Sequence, residues 1–211
     1  MSAEFVERMV ESYSQVHNER FWREIQSLVE SRVTTDSTIL DLGCGPGLHI
    51  KEINRRYNPR KLIGIDHNQL MFDRAEEFIA DIRDKVEFIE QHLQENPDLP
   101  KGNDAIFSSR VLRSFEDQYT SLSNIHNALN PDGLLVLLDW ARADLPTYAE
   151  YLGGGPANVM RYHRNFSRYS LSDWEYILSN TGFRIELAFS LPPVHLAIVA
   201  RKIESTRITL D

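Results

Sequence analysis

Ile39 to Gly47 reads ILDLGCGPG, an apolar run that closes on glycines at alternate positions, Gly43, Gly45 and Gly47. Thr38 to Leu42 reads as a strand buried on both faces, and the glycines as the turn out of it. Glycine lets backbone approach a ligand closely and take up dihedrals that a side chain forbids. The helix that follows offers unpaired N–H groups and a partial positive charge, so the loop suits a bound carboxylate or phosphate. Downstream, KLIGID (Lys61 to Asp66) is a second apolar run. Asp66 stands at its tip, about the distance on at which an acid meets a ribose diol.

Those features leave three readings open: a dinucleotide loop, a loop for another adenosine-bearing cofactor, and a plain strand–turn–helix corner. Spacing separates the first two. A dinucleotide fingerprint is G-x-G-x-x-G, whereas the third glycine here comes one residue early. Asp41 also precedes the glycines. A negative group is unhelpful beside a pyrophosphate and suits a ligand carrying an amine or sulfonium.

Outward from this loop, strands and helices alternate. Val6, Met9, Val10 and Tyr13, then Trp22, Ile25, Leu28 and Val29, recur at helical spacing, with Asn18 as cap of the second helix. Asn68 caps a helix whose buried face is expected at Met71, Ala75, Phe78, Ile79 and Ile82. Val86 to Glu90 is a third strand and Asp104 to Ser108 a fourth. Phe115, Tyr119, Leu122, Ile125 and Leu129 mark the next helix. NPDG (Asn130 to Gly133) is a turn, and LLVLLDW (Leu134 to Trp140) is the most apolar strand. Such buried strands with helical crossovers imply a parallel sheet covered on both sides. Residues 141 to about 169 show no clear period and read as a lid or binding loop. Ser170 with Asp173 forms a capping box for a helix to about Asn180. The runs GFRIELAFS and VHLAIVARK are joined by a few residues around Pro192 and Pro193, which favours an antiparallel pair. The expected organisation is one domain over 1–205, with a helical cap at 1–34, a lid insert at 141–169 and a frayed tail at 206–211.

The totals narrow the function. Lys plus Arg number 23 against 31 for Asp plus Glu, so the formal charge of −8 argues against nucleic acid or an anionic membrane as partner. The one cysteine, Cys44, excludes an internal disulfide and a thiolate-only metal site, and no metal is expected. No stretch approaches the roughly 20 apolar residues of a spanning helix. The N-terminus lacks a signal-peptide core, so the cytoplasm is the default compartment.

From residue 37 to about 140 the chain resembles the class I S-adenosylmethionine-dependent methyltransferases, in their small-molecule branch. Their first motif, D-x-G-x-G-x-G, is matched by Asp41, Gly43, Gly45 and Gly47 around Cys44. The resemblance implies that this loop holds the methionine moiety, and that Asp66, followed by His67, binds the ribose. The segment DHNQLM puts Met71 where the family packs a methionine on adenine, with Asn68 in place of a serine cap. The third motif departs: Gln91, beside His92, stands where an aspartate usually accepts from the adenine amine. Ser109 and Arg110 fall where the chain passes the methionine end. The implied fold is a Rossmann-like doubly wound α/β sheet of seven strands, order 3-2-1-4-5-7-6 with strand 7 antiparallel, plus N-terminal helices and an insert after strand 5.

The implied cofactor is S-adenosyl-L-methionine, and the implied reaction is in-line methyl transfer to a small molecule, with orientation as the main catalytic effect. Tyr13 lies where relatives close a helix over the cofactor, and Arg113 where they often carry a histidine. In the lid, RYHRNFSRY sets Arg161, Arg164, Arg168 and His163 among Tyr162, Phe166 and Tyr169. This suits a substrate with an anionic group, and it also describes a solvated charged face anchored by aromatics. His163 is the expected base where one is needed, and Gly153 to Gly155 the expected hinge. A catalytically silent S-adenosylmethionine-binding scaffold is the alternative. A nicotinamide-dependent oxidoreductase would need G-x-G-x-x-G and, for the short-chain type, Tyr-x-x-x-Lys, and the sequence has neither.

Overall fold

The computed structural model describes residues 2–94 and 98–204. The tail expected to fray, 206–211, lies outside the described residues. Two helices open the chain, α1 (Ala3–Val16) and α2 (Glu19–Glu30). Asn18 caps α2 by accepting from the Phe21 N–H. There follow β1 (Thr38–Leu42), α3 (Leu48–Tyr57), β2 (Lys61–Asp66), α4 (Gln69–Ile79), β3 (Val86–Glu90), β4 (Asn103–Ser109), α5 (Gln118–Ala128) and β5 (Leu129–Trp140). The last part is α6 (Leu145–Leu152), α7 (Pro156–Phe166), α8 (Leu171–Ser179), β6 (Phe183–Leu191) and β7 (His195–Lys202). Among the described residues, no helix is long and apolar enough to cross a membrane.

The seven strands form one sheet in the order β3-β2-β1-β4-β5-β7-β6. β7 runs antiparallel to both β5 and β6, and the other pairs are parallel. β1 pairs with β2 on one side and β4 on the other, so the strand order reverses there and a crevice opens at the strands' carboxyl ends. Successive strand residues point to opposite faces, which splits the core in two. Ile39, Phe107 and Val136 pack with Trp22, Ile25, Ile50 and Ile53. Leu40, Ile106 and Leu135 pack with Leu122, Ile125 and Trp174.

Four details differ from the sequence reading. NPDG does not precede β5 but bulges within it: Asn103 faces Leu129 while Ala105 faces Leu134, and Asp132 adopts φ 59°. Residues 141–169 are not a loop but carry α6 and α7, each opened by a proline in its first turn. Tyr119 is exposed on α5, and Leu129 begins β5. On α4 Phe72 takes the buried place expected for Phe78, whose ring is covered by the Arg74 guanidinium at 4.6 Å.

Candidate functional site

The glycine loop is tied to the tip of β2 from two directions. The Gly43 and Cys44 N–H groups donate to the Ile65 carbonyl at 2.8 and 2.9 Å. The Gly45 N–H donates to Asp66 Oδ2 at 3.0 Å, while Asp66 Oδ1 accepts from the N–H groups of His67 and Asn68 at 2.8 and 3.2 Å. Asp66 is buried, and that burial raises its carboxyl above the usual carboxylate value, against the pull of these N–H groups. Gly47 is demanded by packing. Its φ is 78°, and a Cβ there would lie 2.6 Å from the Ala75 Cβ on α4.

Beside the loop lies a cleft of about 350 Å³, lined by Tyr13, His17, Gly43, His49, Ser109 and Arg110 among others. It joins the end of α1 to the crevice between β1 and β4. His49, on α3, sits 3.0 Å from Asp41 through Nδ1. His17 stacks on Tyr13 at 4.4 Å and lies 4.6 Å from the His49 ring. Tyr13 Oη, both His17 nitrogens, His49 Nε2, Asp41 Oδ2 and Ser109 Oγ are buried with no hydrogen-bond partner among the described residues. Buried polar atoms are normally paired, so this concentration marks a surface shaped for something else to complete. Burial holds the Tyr13 phenol up and the His17 imidazole well down, the latter aided by His49 and Arg110.

The structure brings Asp41, Gly43, Cys44, Gly45, Gly47, Asp66, Tyr13, Ser109 and Arg110 to this cleft and its rim. Cys44 is buried behind the loop with its thiol pushed up by burial and the nearby Asp41 and Asp66. His67 lies half-exposed beside Asp66, its ring 5.4 Å from His92. The Gln91 N–H donates to the Asp66 carbonyl, and its side-chain amide to the Asp98 carbonyl at 2.8 Å. Met71 is buried on α4. His67 and Met71 follow β2 in the chain and Gln91 and His92 follow β3, and a separate apolar recess is lined by Leu42, Leu93, Leu99, Leu112 and Phe115.

Two residues expected in catalysis stand apart. The Arg113 guanidinium pairs with Asp139 at 3.0 Å and covers the Phe166 ring at 4.4 Å. His163 Nε2 lies 3.0 Å from the Ala143 carbonyl, and its ring meets Tyr148 edge-on. The lid arginines face outward: Arg161 donates to Asn158, Arg164 to Asn165, and Arg168 to the carbonyls of Arg113 and Phe115. Tyr162 and Phe166 instead pack on Trp140. Sequence reasoning missed His17, His49 and His195. His17 extends the α1 stripe by one turn from Tyr13, and His49 follows the last glycine by two residues. Each was a legible signal. His195, buried against Trp140 at 4.7 Å, had none.

Residues 39–133 match the family described as "Methyltransferase domain". Trans-aconitate 2-methyltransferase of Yersinia pseudotuberculosis is 27% identical over 137 residues, 64% of this chain and 51% of that protein. The chain thus spans about half the length of the curated relatives it matches. Among solved structures, a SAM-dependent methyltransferase from Aquifex aeolicus superposes with a TM-score of 0.67 at 15% identity, over 96% of this chain and all of that one. Geranyl diphosphate C-methyltransferase from Streptomyces coelicolor, solved with S-adenosyl-L-homocysteine, gives 0.66 at 14% identity over 88% of this chain and 76% of that one. The methyltransferase-domain match at residues 39–133 and the sheet order 3-2-1-4-5-7-6 give the chain the Rossmann-like fold of the S-adenosylmethionine-dependent methyltransferases.

Proposed function

We infer that this protein transfers a methyl group from S-adenosylmethionine to a small-molecule acceptor carrying an anionic group. The observation that carries the reading is the set of partnerless buried atoms, Tyr13 Oη, His17, His49 Nε2, Asp41 Oδ2 and Ser109 Oγ, around a cleft bounded by the Gly45–Asp66 clasp. This donor and acceptor set fits the cofactor's amino-acid end. Gly45, where an added Cβ would meet only the Met9 side chain at 3.4 Å, gives it room, and Asp41 offers a negative oxygen to an ammonium. Asp66 Oδ2 takes one N–H and so keeps capacity for a ribose hydroxyl. His67, Met71, Gln91 and His92 flank the nucleoside side.

The cofactor supplies an electrophilic methyl group when bound. The chain's own task is orientation and exclusion of water. Tyr13 and His17 close the cleft from α1, and α6 and α7 cover the ends of β5 and β7 as a lid. An anionic acceptor is supported by the relatives that act on trans-aconitate and by arginine at the cleft. The net charge of −8 favours a small molecule over nucleic acid. The lone buried Cys44 suits a reducing compartment, the cytoplasm. Calorimetry with S-adenosylhomocysteine, followed by a labelled S-adenosylmethionine screen of cell extract, tests the reading. A labelled small product is expected. Binding without any transfer would leave a silent binding protein, and failure to bind would remove the reading.

A further inference from the structure

Arginines recur from the exit turn of β4 to the end of the lid, and the fold employs them unequally. Arg113 is neutralised by Asp139, Arg142 reaches Asp173, and Arg161, Arg164 and Arg168 are held by amides or carbonyls. Arg110 differs. Among the described residues no carboxylate or carbonyl accepts from its guanidinium, although the residue is part-buried and lines the cleft beside Ser109. Asp139, whose field favours the charged form, is already committed to Arg113. Burial and the like charge of Arg113 both weigh against the Arg110 cation.

The backbone singles out the same residue. Arg110 has φ 61°, a left-handed conformation that a long side chain rarely adopts and that persists where surroundings impose it. Its N–H donates to the Leu138 carbonyl at 2.7 Å, and its own carbonyl accepts from the Arg113 guanidinium. These bonds fix the turn at the end of β4 that directs the side chain to the cleft. Around it stand the aromatic ring of Tyr151 and two buried histidines, His17 and His195, with ring nitrogens that lack partners. A buried cation without a counter-ion is costly, and an anion entering with its ligand removes that cost.

We propose that Arg110 is the specificity-determining residue of the acceptor pocket, binding the carboxylate or phosphate of a small acceptor while His195 and Tyr151 form the surrounding wall. This rests on the methyl-transfer reading of the cleft and replaces the lid arginines with one residue from β4's exit turn. It also moves Arg110 from the cofactor's side, where family resemblance put it, to the acceptor's.

The test is calorimetry on protein saturated with S-adenosylhomocysteine, titrated separately with trans-aconitate, benzoate and inorganic phosphate. The wild type should bind at least one, and the arm that binds tells carboxylate from phosphate. Arg110→Met should weaken that binding at least tenfold and leave the S-adenosylhomocysteine affinity within about threefold. Arg110→Gly, which suits the left-handed backbone and so keeps the fold, should do the same. Arg161→Ala should change neither. A tenfold loss of S-adenosylhomocysteine affinity in the Arg110 variants, with anion binding retained, overturns the proposal. So does an anion that binds wild type and Arg110→Met alike, or no anion binding to the loaded wild type. A wild type that fails to bind S-adenosylhomocysteine removes the methyl-transfer reading itself.

Discussion

Replacing Asp66 with asparagine separates what this residue does for the fold from what it does for the ligand. The carboxylate accepts three backbone N–H groups, two on Oδ1 and one, from Gly45, on Oδ2. Asparagine keeps one carbonyl oxygen, which can still serve His67 and Asn68. Its NH2 group must then face the Gly45 N–H, donor against donor. Gly45 is buried, so water does not replace the lost acceptor, and a stranded buried donor costs about 1–3 kcal/mol. For a chain of this length that corresponds to a fall in Tm of roughly 2–12 °C. The ligand effect is separate. Loss of a hydrogen bond to a charged group is worth about 1.5–3 kcal/mol, or roughly 10- to 150-fold in S-adenosylhomocysteine affinity.

The pH response gives a second signature. Burial raises the Asp66 carboxyl above its usual 3.8. Its protonated form therefore favours the native state, and that contribution is complete below the unfolded value and lost as pH rises through the folded one. Ribose binding runs the other way: it needs the carboxylate, so affinity falls as pH drops through the same window above 3.8. Calorimetry from neutral pH downward should show this fall in the wild type and not in Asp66→Asn. Scanning fluorimetry on the same samples supplies the Tm. An Asp66→Asn protein that is folded and binds S-adenosylhomocysteine within twofold of wild type would refute the assignment of the ribose to this acid.

Gly47→Ala should lower stability by about 2–4 kcal/mol by denaturant titration, combining the φ of 78° with a Cβ driven against α4. Arg113→Ala leaves the fully buried Asp139 without its cation and should cost about 3–5 kcal/mol, whereas the paired change Arg113→Met with Asp139→Leu should recover much of it. His163→Ala should lose about 1 kcal/mol of stability with the Ala143 hydrogen bond and leave cofactor affinity unchanged by calorimetry. His195 is pushed down to about 3 by burial, Arg110 and Arg113, so between its unfolded value of 6.5 and about 3 the unfolded chain binds the extra proton. Stability should fall as pH drops through that window, and His195→Phe should flatten the dependence.

What the sequence discloses follows from where the determining forces are local. β1, β2 and β3 are short apolar runs bounded by polar residues, and their limits were readable to the residue. Asn18, Asn68 and Ser170 announce helix starts because a capping side chain bonds within two or three residues. Elements that depend on distant partners were not readable. α6 and α7 exist because Tyr148 and Val159 pack against Trp140 and Val194, residues from β5 and the turn before β7. Asp132 takes its left-handed turn within a strand because β4 resumes pairing beyond it.

The candidate site divides along the same line. Asp41, the glycines and Asp66 lie in one strand–loop–helix–strand unit, so spacing alone assembles them. Charge compensation does not work that way. In sequence Arg110 and Arg113 are equivalent cations three residues apart, and the eye falls on Arg113 or on the denser basic run of the lid. The carboxylate that distinguishes them, Asp139, lies at the end of another strand, and β4–β5 pairing brings it to Arg113. The lid's basic residues are likewise spent on Asn158, Asn165 and backbone carbonyls, while its aromatics turn inward to Trp140. A cation's availability to a ligand is thus a property of what the fold leaves uncompensated, and it becomes visible only once every nearby acid and carbonyl has been placed.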